Sequence, residues 1–134
     1  MDNPRLGRKV LDFVTAHRDQ FDMGAWGYTS HACGTTGCLA GWAMILSGYT
    51  LAVNQSSGAE TFRRPDGSEV SDEGGEAQEL LGLTAGERDN GSGASPLFLM
   101  YEDEAIERFR ELVEASEARA AERAATAARE ECRA

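Results

Sequence analysis

The chain has 134 residues, 41% of them hydrophobic, and a formal net charge of −10. That length suits one domain with a modest core, and the composition excludes wholesale disorder. The acidity disfavours direct binding to a nucleic-acid backbone, which needs clustered Lys and Arg.

The opening stretch, MDNPRLGRKV, lacks the apolar centre and cleavage site of a secretory leader, so a cytoplasmic location is expected. Asn3-Pro4 is a helix start, with Asn as cap and Pro at the first helical position. Leu6, Val10, Phe13, Val14 and His17 then recur at helical spacing opposite Arg8, Lys9, Asp12 and Arg18. His17 closes this helix, where a cationic side chain complements the C-terminal dipole. In the following QFDMGAW, Phe21, Met23 and Trp26 can fold back as an apolar clamp.

A second helix is expected from about Thr36 to Leu46, with Leu39, Trp42, Ala43 and Leu46 on its core face and Ser47-Gly48 ending it. The longest apolar run, from Cys38 to Leu46, is too short to span a bilayer. Tyr49 to Val53 reads as a short strand, and TFRRPDGSEV as a small β-hairpin about Pro65-Asp66-Gly67. EAQELLGL reads as a helix burying Ala77, Leu80 and Leu81. Thr84 and Glu87 have capping-box spacing, and DNGSGASP reads as a polar loop. From Glu102 onward a long helix is expected, buried through Ile106, Phe109 and Val113 and stabilised by a Glu104–Arg108 pair. The expected class is therefore mainly α with a small β-hairpin (α+β). One globular domain over 1–113 carries an alanine-rich helical extension over 114–134. In that extension Ala115, Ala118, Ala121, Ala125, Ala128 and Cys132 follow three- and four-residue steps. Such spacing fits a solvated extension, or a narrow seam through which the chain would form an oligomer.

Charge is unevenly placed along these elements. In residues 1–59, Asp2, Asp12, Asp19 and Asp22 balance Arg5, Arg8, Lys9 and Arg18, so the whole acidic excess lies beyond. It serves solubility first, and it also suits a basic protein partner or mimicry of nucleic-acid charge.

The chemistry-bearing stretch is HACGTTGCLAGWA, His31 to Ala43. Four readings compete for it. Zinc could draw on His31, Cys33, Cys38 and His17, but the paired short knuckles of structural zinc sites are missing. A nucleophilic thiol could be Cys38 or Cys33, with Cys38 activated in the first turn of its helix and His31 as base. Backbone amides of Gly34, Thr35, Thr36 and Gly37 could hold an anion or a nucleotide phosphate at a helix N-terminus, without the usual lysine. The architectural reading gives Gly34 to a turn, Thr35 or Thr36 to the helix cap, and the cysteines to the core. It leaves no residue without a role.

The same residues resemble a group of small uncharacterised proteins from actinobacteria, other bacteria and their tailed phages. The resemblance rests on H-x-C-G-T-T-x-C-x-A-G-W-A at His31–Ala43, QFDM-x-x-W at Gln20–Trp26, A-x-x-L-L-G-L-T at Ala77–Thr84, and Leu97-Phe98. It implies a source and a size class, and no mechanism. The DNGSGASP loop and the alanine-rich tail depart from the pattern. The expected function is that of a small acidic accessory protein, binding a host or phage protein without catalysis, cofactor or membrane. The alternatives are a thiol enzyme or nucleotide-binding protein using His31–Cys38, and an acidic inhibitor of a nucleic-acid-binding protein.

Overall fold

Asn3 starts the fold at two places at once. Its Oδ1 accepts from the Leu6 N–H at 3.2 Å, capping helix α1 (Pro4–Ala16). Its Nδ2 donates to the Leu80 carbonyl at 2.8 Å, and its backbone N–H donates to Leu81 O at 3.0 Å. One side chain thus satisfies orphan groups at the start of one helix and the end of another. That second helix, labelled α3 below, ends at Gly82 in the left-handed conformation, φ +64°. A Cβ there would also meet the Asp2 backbone nitrogen at 3.0 Å, so glycine is needed for both the turn and the close approach.

The computed structural model describes residues 1–25, 27–30, 34–53, 56–84, 87 and 95–133. After α1 come a 3-10 turn (Arg18–Gln20), β1 (Gly27–Ser30), β2 (Gly34–Gly37), α2 (Leu39–Ile45), β3 (Thr50–Val53) and β4 (Glu60–Arg63). Helix α3 (Glu73–Leu81), a 3-10 turn (Pro96–Leu99) and α4 (Glu102–Arg133) complete the chain. The protein is a compact α+β fold with a long C-terminal helix, as its periodicity predicts. No helix among the described residues is long and apolar enough to cross a membrane.

Two antiparallel pairs stand where one hairpin is expected: β1 with β2, and β3 with β4. The expected strand at Tyr49–Val53 is β3, and its partner is Glu60–Arg63, with Leu51 opposite Phe62. The Pro65-Asp66-Gly67 turn is also present, carrying a single further bridge from Arg63 to Glu69. Asp66 Oδ1 holds it by accepting from the Ser68 N–H at 2.8 Å, an Asx-type turn. Arg64 then reaches Glu76 at 2.9 Å, pinning this turn to α3.

The main core joins Val10, Leu11 and Val14 of α1, Leu39 and Trp42 of α2, Leu81 of α3, and Ile106, Phe109 and Val113 of α4. A smaller cluster of Met44, Tyr49, Phe62 and Val70 lies beneath the β3–β4 pair. Helix α2 borders both clusters, which is why Leu39 through Met44 are all buried. Trp42 is a core residue: its ring centroid lies 4.1 Å from that of Phe13, and its Nε1 donates to Gln20 O at 2.8 Å. Phe21 is buried as the clamp predicts and Met23 packs against the core, while Trp26 lies outside the described residues.

Burial along α4 passes the expected boundary at Val113. Ser116 is buried and donates to the Met1 carbonyl at 2.5 Å, and Arg119 donates to the same oxygen at 3.1 Å. Glu117 pairs with Arg8 at 2.6 Å. The packed unit therefore ends near Ala120, because polar side chains continue the contact where large apolar ones stop. Arg108 pairs with Glu111 at 3.1 Å, in place of the expected Glu104 partner.

The Met1 end is held by Glu87, whose carboxylate accepts from the terminal ammonium and, at 2.9 Å, from both the Thr84 N–H and hydroxyl. The Thr84–Glu87 capping contact expected from spacing is therefore made. Burial opposes the charge on Glu87, but these hydrogen bonds and the ammonium together hold its carboxyl below the usual range.

Candidate functional site

The centre of the HACGTTGCLAGWA stretch is extended. Gly34–Gly37 forms β2, with Thr36 opposite Tyr28 and Thr35 opposite Thr29. Gly37 also bridges to Phe21, and its carbonyl accepts from the Asp22 N–H at 2.9 Å. The Cys38 N–H donates to Ala25 O at 3.0 Å and the Cys38 backbone is itself extended, so the helix starts only at Leu39. Helix α2 thus begins three residues later than the expected Thr36. Gly27, opposite Gly37, is needed here because a Cβ would stand 2.7 Å from the Phe62 ring.

Two local expectations are corrected by this geometry. The helix cap is neither Thr35 nor Thr36: the Cys38 sulfur accepts from the Gly41 N–H at 3.5 Å. The Gly34, Thr35, Thr36 and Gly37 amides lie along a β-ladder and are not gathered at a helix N-terminus, the arrangement that anion capture needs. β-Branched Thr29, Thr35 and Thr36 between glycines were the signal for this strand pair.

Cys38 is buried, and its thiol is pushed up to about 11 by that burial, against hydrogen bonds from the Gly41 and Ala40 amides. The dipole-activated thiol expected at a helix start is the opposite case. His17 is exposed at the C-terminal cap of α1, with its ring stacked on Phe13 at 4.5 Å, as a helix-end histidine should be. His31 and Cys33 lie outside the described residues. Among the described residues, no group of three His, Cys, Asp or Glu side chains is placed to hold a metal.

A different surface emerges next to Cys38. The turn at Asp22–Ala25 faces the segment from Pro96 to Glu102, and Glu102 clamps the two by accepting from the Met23 N–H at 3.1 Å. Ser95 starts that segment by accepting from the Leu97 N–H at 3.3 Å, which drives Leu97 and Phe98 into the core. The 3-10 turn and the two residues after it cannot bury the whole apolar run from Leu97 to Tyr101, so Leu99 and Tyr101 remain 68% and 83% exposed. Between the segments runs a groove of about 490 Å³ lined by Met23, Phe98, Leu99 and Tyr101, with Asp22 and Glu102 among its borders. A recess of about 190 Å³ beside it is lined by Cys38, Ala25 and Phe98. Sequence reasoning missed this site. The run Leu97-Phe98-Leu99-Met100-Tyr101 was the signal, being too continuous for an amphipathic element. Neither a protein-family model, nor a curated protein, nor a solved structure matches the chain.

Proposed function

We propose that this is a small acidic accessory protein that acts by binding another protein, in a phage or an actinobacterial host, as the resemblance of its central motif implies. The observation that carries this reading is the groove beside Cys38, where Leu99 and Tyr101 present bulky apolar surface to solvent. Large side chains left outside a core mark interaction surfaces when they cluster. Among the described residues, the thiol beside that groove favours binding over catalysis. Buried and held protonated, Cys38 serves α2 as a cap, whereas a nucleophile needs a lowered pKa or an adjacent base.

Mass spectrometry of the purified protein, native and then denatured, tests the reading against its enzyme alternative. The expected native mass equals the chain or a multiple of it. A stoichiometric nucleotide, organic ligand or metal released on denaturation would overturn the reading in favour of the nucleotide-binding or thiol-enzyme alternative. Affinity capture from host lysate, quantified against a mock bait, is expected to enrich one protein stoichiometrically. Enrichment of a single nucleic-acid-binding protein whose DNA or RNA competes for the same surface would favour the charge-mimic alternative.

A further inference from the structure

Among the described residues, the two most exposed large apolar side chains, Leu99 and Tyr101, are two residues apart at one groove. The charged residues that line that groove, among those described, are acidic. Asp22 and Glu102 are among the residues that border it, and each spends one carboxylate oxygen on a backbone N–H: Asp22 on Gly24 at 2.8 Å, Glu102 on Met23 at 3.1 Å. Both occupy half-exposed positions. The neighbouring Asp103 is already matched by Arg18 at 2.6 Å. No Lys or Arg is among the described residues that line the groove or its recess. The floor is apolar, from Met23, Phe98 and Leu99, and the volume falls in the range of clefts that enclose a bulky side chain or small ligand.

From these observations we infer that the groove between Asp22–Ala25 and Pro96–Glu102 docks a short segment of a partner protein carrying one bulky apolar side chain beside a lysine or arginine. The inference rests on the proposed binding function and adds the site and the chemistry of its occupant. The apolar side chain covers Met23, Phe98 and Leu99, and the Tyr101 ring closes over it or over the cation. The basic residue meets Asp22 and Glu102, which sets the register and repels acidic segments. An anionic ligand is disfavoured by the same two carboxylates.

Fluorescence anisotropy with labelled synthetic heptapeptides tests this. One set carries a central Leu, Phe or Trp flanked by Lys or Arg. Matched sets replace the flanks by Glu, or the centre by Ala. The basic–apolar set is expected to bind at least tenfold more tightly than either control, and to weaken as salt is raised. Leu99→Ser/Tyr101→Ser is expected to lose at least tenfold for that set with an unchanged thermal midpoint, since both side chains lie outside the core. Glu102→Gln, which keeps an oxygen for the Met23 N–H, is expected to remove most of the preference for basic over acidic flanks. Equal binding to the double variant would place the site elsewhere, and failure of every peptide would overturn the inference. In both cases a partner still captured by full-length protein leaves the binding function standing. A wild-type dimer that the double variant converts to monomer would assign the groove to a second copy and overturn the peptide assignment.

Discussion

Up to Ala120, α4 places Ala105, Ile106, Phe109, Leu112, Val113 and Ser116 against the rest of the fold; from Ala121 to Arg133 every residue is exposed. From Glu114 onward composition hardly marks where the packed part ends, since Ala, Glu and Arg dominate on both sides of Ala120. Helix propensity therefore says that the helix continues, and nothing about where the folded unit stops. What separates them is partners: Met1 and Arg8 engage Ser116, Glu117 and Arg119, and the next turn meets water.

The sharpest way to break this contrast is to remove its deepest anchor. Phe109 is fully buried, so Phe109→Ala should cost ~3–5 kcal/mol, read by chemical denaturation. Ala125→Gly on the exposed half should cost no more than ~1 kcal/mol, the difference in helix propensity alone. Paired truncations locate the boundary next. Removing 121–134 should be nearly silent, whereas removing 115–134 should cost ~2–3 kcal/mol by stripping the partners of the Met1 carbonyl. Equal, small effects of both truncations would restore the boundary at Val113.

Single polar contacts give smaller effects. Ser116→Ala should cost ~1–2 kcal/mol, since Arg119 still donates to Met1 O. Glu87 adds a pH signature at the same end. Its folded carboxyl titrates below its unfolded one, so its stabilisation is complete above about pH 4.3, the unfolded value, and fades as pH falls through the lower folded value. Glu87→Gln should flatten that part of the acid-denaturation curve. The smallest effect is kinetic, and it compares two cysteines. Cys132, exposed on the free half, should alkylate with iodoacetamide at pH 8 in the native state, while Cys38 should react after unfolding. The raised Cys38 value also means that its contribution to stability is present below about pH 8.5 and is lost as pH rises toward about 11.

Much of this architecture was legible in the residues. Helices α1, α3 and α4, the Trp42 core position, the Pro65–Gly67 turn and the Thr84–Glu87 contact follow from local spacing and capping chemistry, which act within a few residues. The β1–β2 pair was not legible as read, because Gly34–Gly37 is held extended by Phe21, Asp22 and Gly27, partners brought in by the fold. The same limit applies to Cys38, whose position beside a helix start suggested an activated thiol. Burial, a tertiary property, reversed the sign. The groove was hidden for a third reason: it joins residues 22–25 to 96–102, which are distant in sequence and are bridged by the Glu102–Met23 hydrogen bond.

The embrace of α1 and Met1 by α4 has a consequence for how the chain acquires its structure. Helical proteins usually fold through contacts close in sequence, but here Arg8 meets Glu117 and Met1 meets Ser116 across most of the chain's length. During synthesis the apolar stripe of α1, Leu6, Val10, Leu11 and Val14, emerges before α4, one of the elements that cover it. Part of that stripe stays uncovered in the nascent chain until α4 leaves the ribosome. Folding is then expected to be slower than the helix content suggests, with closure of the two ends as its late step.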